Sequence, residues 1–514
     1  MEVVSPPTLL LSVVSLLVIL VSLVISFKSS RKKNQPPGPW CLPLIGNLLH
    51  LLTSQPQAAL RDLARKHGPV MSLRLGQIDA VVISSPAAAQ EVLQEKDLTF
   101  ASRPRLLVAD IILYGYMDIS FAPYGAYWRT LRKLCMMELL SARKVRQLAH
   151  VRDSGTLSLV RKIGAAASQG GGGPVNLGKL LSSCSIGITG KATFGQLCTA
   201  ELQEQYMPVI TVAVTDGGGF SAGDLFPSLW FVDVATGLTR RLWRARRQLD
   251  AIFDKMIAEC QVQRREKKCK SGDEEDLLSV LLRIKDEGKL EIPITTTTIK
   301  AILFDMLTGG TETTSSAAEW IMSELMRNPE VMAKAQTEVR QALDGKSPQD
   351  HEGHMDKLCY TRMVIKEGLR LNPVLPLLLP RLCQETCEIG GFEVTKGTKV
   401  IVNAWAIARS PEHWHDAEEF RPERFYDDDS VSSDYKGSQF GYLPFGSGRR
   451  VCPGDTFGLA VLELMVARLL YYFDWSLPNG MRPDELDMDM IVGSTARRKN
   501  QLHLLASPYK KLPA

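Results

Sequence analysis

One cysteine constrains this chain more than any other residue. Cys452 lies in Phe445-Gly446-Ser447-Gly448-Arg449-Arg450-Val451-Cys452-Pro453-Gly454, and a long apolar helical pattern begins near Asp455. Glycines let the backbone curl and turn several amide N–H groups toward one atom, which favours a thiolate over a thiol. The N-terminus of the following helix adds positive potential. A sulfur placed this way can ligate a metal; the alternative is a buried, inert cysteine.

The loop resembles the cysteine-ligand loop of the cytochrome P450 haem-thiolate monooxygenases, Phe-x-x-Gly-x-Arg-x-Cys-x-Gly, and fills every defined position of it. The resemblance implies that Cys452 is the axial thiolate of a haem b, with Phe445 and Arg450 beside the cofactor. It also implies a mainly α fold with a smaller β-rich part and one catalytic domain.

The start of the chain departs from a globular pattern. Residues 8–27 carry no charge and are dominated by Leu, Val and Ile, a length that spans a bilayer. Lys28, Arg31, Lys32 and Lys33 follow at once, whereas only Glu2 is charged before them, so the body of the protein is expected on the cytosolic side. A cleaved secretory signal is the alternative, but the segment lacks a basic beginning and a small-residue cleavage site. Prolines 36, 37, 39 and 43 make a stiff connector, because each fixes φ. The expected organisation is an anchor (1–27), a basic and proline-rich linker (28–46) and a haem-binding domain (47–514). Resemblance to microsomal members implies a single-pass protein of the endoplasmic reticulum membrane, in contact with lipid.

Composition narrows the function. Lys plus Arg number 61 against 56 Asp plus Glu, a formal charge of +5, too mild and dispersed to argue for nucleic acid. Ten cysteines without a paired framework suit a reducing compartment. Cys383 and Cys387 have ligand-like spacing but no matching Cys/His pair, and read as ordinary thiols.

Along the chain, residues 70–75 and 80–84 read as two strands joined at Gly76. Residues 100–123 are irregular, with large apolar side chains that include Leu106 and Ile111; in the family this is a loop over the substrate. Trp128 and Arg132 are four apart and share a helix face. The resemblance assigns them to a haem propionate; the alternative is a surface cation over an aromatic ring. Glycines 217–219 and Phe220 open an aromatic passage that the resemblance makes a substrate lid, though a plain loop fits it equally.

Residues 299–314 read as a long apolar helix interrupted by Gly309 and Gly310, then by Glu312 and Thr313. Each glycine costs about 1 kcal/mol relative to Ala in a helix interior, so removal of side chains there should open useful room. In the family this helix crosses the haem. The resemblance makes Gly309 and Gly310 the dioxygen groove, Glu312 a proton source and Thr313 a hydrogen-bond partner of the bound dioxygen. A hydroxyl beside a carboxylate can relay the protons that O–O cleavage requires, and thiolate donation favours the same cleavage.

Glu367 and Arg370 sit three apart on one helical face. The resemblance makes them a buried network closed by Arg424 of Pro422-Glu423-Arg424. Prolines keep residues 375–381 extended; by resemblance Leu377 and Leu378 line the substrate pocket with Phe304 and Val492, and Arg381 reaches the other propionate. Residues 393–394 and 398–402 read as a hairpin around Gly397. Lys133, Arg143, Lys144 and Arg449 are candidates for a reductase docking face.

The expected reaction joins substrate RH, dioxygen, two electrons from NADPH through a cytochrome P450 reductase, and two protons to give ROH and water. A haem-thiolate isomerase or dehydratase would need no acid–alcohol pair, and a membrane-anchored haem protein without turnover would need no exchangeable ligand site. Residues 54–63 and 122–128 look like a grass subgroup that oxidises labdane-related diterpenes, pimaradiene types included, in defence metabolism. The apolar pocket also suits a sesquiterpene, a fatty acid or a phenylpropanoid.

Overall fold

The computed structural model describes residues 34–169, 172–216, 221–266, 275–426, 440–493 and 495–513. The expected anchor at 8–27 and the lid residue Phe220 lie outside the described residues. Among those described, no helix is long and apolar enough to cross a membrane.

The architecture is mainly helical with small sheets. After α1 (Pro56–His67) come β1 (Val70–Leu75) and β2 (Ile78–Ile83), antiparallel with Val70 opposite Ile83 and turning at Gly76. Helices α2 (Leu107–Ile111), α3 (Ala126–Leu134) and α4 (Ala149–Gln169) follow, then the two-residue β3 (Val175–Asn176) and helices α5 (Leu177–Phe194) and α6 (Leu238–Glu266). Helix α7 (Thr296–Arg327) has 32 residues, about 48 Å at 1.5 Å per residue. It begins at a capping box in which Thr295 and Thr298 exchange side-chain and backbone bonds, satisfying amides that a helix start leaves open. Helices α8 (Pro329–Leu343) and α9 (Cys359–Leu371) precede the strands β4 (Arg381–Leu382), β5 (Cys387–Ile389), β6 (Phe392–Val394) and β7 (Lys399–Val402), and α10 (Asp455–Tyr472) leads into the last strands.

Most buried apolar side chains form one cluster, to which α4, α5, α7 and α10 all contribute. Gly310 lets α7 and α5 approach, since a Cβ there would stand 2.8 Å from Thr189.

The sheet lobe has the order β1-β2-β7-β4, with β7 parallel to β2 and antiparallel to β4. This corrects the hairpin expected around Gly397: β6 pairs with β5 instead. Val400 and Val402 are buried, and a central position between two strands covers such side chains.

Candidate active site around Cys452

The cysteine loop is shaped by backbone constraints. Cys452 N–H donates to the Phe445 carbonyl at 3.0 Å, and Val451 N–H to Gly448 at 3.0 Å. Gly446 and Gly448 have φ of +71° and +73°, where a side chain is disfavoured. A Cβ on Gly448 would also stand 2.1 Å from the Leu93 carbonyl oxygen. Asp97 anchors the loop from below, accepting from Arg449 N–H at 3.0 Å and from Arg381 at 2.9 Å.

Burial pushes the Cys452 thiol up to about 11, while the amides of Gly454 and Asp455 and the charge of Arg132 pull it back. Those donors prepare the loop for a thiolate, and coordination to a cation deprotonates a thiol outright.

Around the loop stands a set of guanidiniums. Arg450 donates to the carbonyls of Ala101, Ile119 and Ala122 at 2.7, 3.2 and 2.5 Å and lies over the Trp128 ring at 4.3 Å. Arg381 is buried, bonded to Asp97 and to the Ser447 carbonyl at 2.8 Å. Arg103, also buried, donates to Ser120, Leu379 and Pro380 carbonyls. Burial and then the neighbouring arginines hold Arg103 well below its usual value; burial and then Arg381 bring Arg450 down to about 10. The guanidinium of Arg132, half-buried beside Cys452, makes no hydrogen bond or ion pair with a described residue.

This arrangement fits haem b. Arg103, Arg381 and Arg450 crowd together with Asp97 and Asp118 nearby, and Arg132 stands beside Cys452 and Arg450; the propionates of a haem would balance this excess of positive charge. Two of the residues that the resemblance places at the propionates also bond within the protein. The indole N–H of Trp128 donates to the Ile119 carbonyl at 3.0 Å, and Arg381 serves Asp97 and the loop, because buried donors must be satisfied. Arg132 is the cation of this set whose guanidinium donors have no partner among the described residues.

On the other side of the site α7 is continuous, not interrupted. Its two glycines face different surroundings. Gly309 is exposed although its helix is largely buried, and a Cβ there would meet nothing within 4 Å. Gly310 faces α5 and serves close packing. One turn on, Thr313 Oγ1 donates to the Gly309 carbonyl at 2.5 Å, and Glu312 accepts from Thr495 at 3.2 Å. One turn before, Asp305 accepts from Ile119 N–H at 2.7 Å and Ser120 Oγ at 2.9 Å, its carboxyl raised to about 6 by burial.

Glu367, Arg370 and Arg424 meet at the base of α9. Glu367 accepts from Arg370 Nε and Nη2 at 2.7 and 2.8 Å, from Arg424 Nε at 2.9 Å and from Arg421 N–H at 2.8 Å. Both α9 residues are fully buried. Arg370 and Arg424 then bind carbonyls of residues 408–419, so the network holds the chain leading toward the cysteine loop.

The expected pocket residues are divided. Leu106, Ile111 and Phe304 share the main cluster. Leu378 packs on the sheet lobe and approaches Gly446, Leu377 packs on a second sheet cluster, and Val492 lies against Trp320 and Met490. In the expected docking face Lys144 is buried and donates to the Glu275 carbonyl, which removes it from that surface; Lys133 and Arg143 are exposed.

Sequence reasoning missed Arg103, Asp97 and Asp305. Asp97 and Arg381 are 284 positions apart, and no local spacing signals such a pair.

A family model described as cytochrome P450 matches residues 36–504. The cytochrome P450 CYP99A1 of Sorghum bicolor is 74% identical over 494 residues, covering 93% of this chain and 94% of that protein. The 9-beta-pimara-7,15-diene oxidase of Oryza sativa subsp. japonica is 62% identical over 513 residues, covering 100% and 99%. A solved zebra fish cytochrome P450 with progesterone superposes with a TM-score of 0.74 at 24% identity, over 88% of this chain and 99% of that one, a likeness of fold. The cysteine loop, the helix that faces it and the match through nearly the whole chain make this protein a member of the cytochrome P450 family, a haem-thiolate monooxygenase.

Proposed function

We propose that this chain oxygenates a labdane-related diterpene hydrocarbon of the pimaradiene type, with electrons from NADPH delivered by a cytochrome P450 reductase. In this reading residues 8–27 anchor it in the endoplasmic reticulum membrane and the catalytic body is cytosolic. The observation that carries the substrate class is the full-length identity to the rice 9-beta-pimara-7,15-diene oxidase. The buried cluster of Leu106, Ile111 and Phe304 supports an apolar substrate, since burying hydrocarbon gains roughly 25 cal/mol per Å².

When bound, haem with a thiolate ligand supplies reductive activation of dioxygen. The chain's own groups do the rest. The loop amides and Arg132 favour a thiolate at Cys452, and Arg132 would neutralise a haem propionate beside it. Gly309 leaves room against α7. Thr313, its proton held on the Gly309 carbonyl, presents lone pairs to that room and becomes a donor on rotating away. Glu312, the preceding residue, held by Thr495, would pass on a proton taken from solvent.

The test is turnover by microsomes containing this protein and a plant reductase, offered diterpene hydrocarbons, sesquiterpenes, fatty acids and phenylpropanoids, with products read by mass. Reductant-dependent gain of one oxygen on a pimaradiene-type diterpene is expected. Turnover confined to another class would overturn the substrate assignment. Thr313→Ala should waste reductant as peroxide; unchanged coupling would remove Thr313 from the relay.

A further inference from the structure

Residues 106–116 form a closed segment whose backbone is strained. After α2, Tyr114, Gly115 and Tyr116 take φ of +59°, +68° and +65° in succession. A side-chain-bearing residue rarely adopts this conformation, and it persists only where surroundings hold it. Both tyrosines are held by their hydroxyls. Tyr116 closes the segment on itself, accepting from Leu106 N–H at 2.9 Å and donating to the Leu106 carbonyl at 3.0 Å.

Tyr114 faces outward to two helices. Its hydroxyl donates to Asp250 Oδ1 at 3.1 Å, and the Arg246 guanidinium covers its ring at 3.2 Å. Arg246 also donates to the Ile111 carbonyl at 2.7 Å and to Asp250 at 3.1 Å. From α7, Lys300 reaches Asp250 at 2.9 Å and Asp254 at 2.8 Å. Burial alone would raise the Asp250 carboxyl, but Lys300 and Arg246 bring it below its ordinary value, so it stays an anionic acceptor. One carboxylate thus gathers the segment, α6 and α7.

The two ends of the segment are fastened separately. Leu107 N–H donates to Asp224 at 2.8 Å, and beyond Asp118 the chain is tied to Asp305 through Ile119 and Ser120. Movement is therefore confined to the stretch between them.

We propose that Tyr114, Arg246, Asp250 and Lys300 form a latch that holds residues 106–116 closed against α6 and α7, and that its release admits substrate past Leu106 and Ile111. This rests on the reading that the cluster of Leu106, Ile111 and Phe304 borders the substrate cavity. The strained Tyr114 backbone lowers the cost of opening, because release lets it relax, while Tyr116 keeps the segment closed on itself; the hydroxyl–carboxylate bond keeps the closed form dominant without making it permanent. These four are positioning residues, not catalytic ones.

The test uses the full haem-loaded chain. Tyr114→Phe deletes one hydroxyl and keeps the ring under Arg246. Loss of a hydrogen bond to a charged group should raise the open population about 10-fold. Hydrogen exchange read by mass should therefore quicken about 10-fold across residues 106–117 and stay unchanged in α10. Association of phenylimidazole with the iron, followed by its absorbance shift, should quicken similarly, with affinity little altered because exit quickens too. Lys300→Met should act in the same direction. Unchanged exchange over residues 106–117 in Tyr114→Phe, or weaker phenylimidazole affinity at an unchanged association rate, would overturn the latch. Exchange involves no substrate or reductase, so the latch and the diterpene assignment stand or fall separately.

Discussion

Replacing Glu367 by Gln tests what the buried network contributes. The carboxylate takes four hydrogen bonds from Arg370, Arg424 and Arg421, and neither it nor Arg370 is exposed. Glutamine keeps the shape, but its single carbonyl oxygen accepts about two of those bonds, and its amide N–H groups then face donors. Two lost charge-assisted bonds at about 1.5–3 kcal/mol each agree with the roughly 3–5 kcal/mol typical of a broken buried pair. The folded-to-unfolded ratio should fall by about two to three and a half orders of magnitude. With a urea slope of about 3 kcal/mol per molar, the unfolding midpoint drops by about 1 M or more. Haem retention, read from the carbon monoxide difference spectrum of the reduced protein, should fall with it, since Arg370 and Arg424 hold residues 408–419. Arg424→Gln in the same background should cost less than the sum of the two single changes, by about 0.5–3 kcal/mol. A loss under about 1 kcal/mol, or costs that simply add, would refute the argument that the three side chains act as one unit.

The two glycines of α7 should respond oppositely to alanine. Gly310→Ala forces a methyl 2.8 Å from Thr189 and should cost about 1–3 kcal/mol in thermal unfolding, relieved by Thr189→Ala; Gly309→Ala meets nothing and should leave stability within about 1 kcal/mol or raise it. His351, fully buried against Tyr471 and Tyr472, is lowered to about 4 by burial and then by Arg468. Its folded state favours the neutral ring, so the stability it contributes is full above the unfolded value near 6.5 and is lost as pH falls toward 4, about 3 kcal/mol in all; His351→Phe should flatten that part of the pH–stability curve. Arg132→Leu should lower haem retention while the apoprotein melts within about 1 kcal/mol of the parent, because its guanidinium has no partner among the described residues to lose; Trp128→Phe, which gives up the Ile119 bond, should lower stability by about 1 kcal/mol.

Features that lie within one turn or one loop were readable from the chain. The positive-φ glycines around Cys452, the helix that starts at Asp455 and the Glu367–Arg370 pair each depend on neighbours a few residues away, and helix and turn geometry convert such spacing directly into position. The strand pair at Gly76 was readable for the same reason. The false hairpin at Gly397 used the same kind of signal, and failed because β7 draws its partners from β2 and β4, far along the chain.

The sequence alone therefore pointed to the chemistry of the site: one cysteine in a donor-rich loop, an acid–alcohol pair and, by resemblance, Arg132, Arg381 and Arg450. Only the tertiary structure decided which arginine is left uncommitted, which glycine faces open space and which carboxylates anchor the cations. These depend on burial. A buried donor takes whatever acceptor the fold brings near it, as Trp128 takes Ile119 and Arg381 takes Asp97, and sequence spacing does not encode a partner hundreds of residues away.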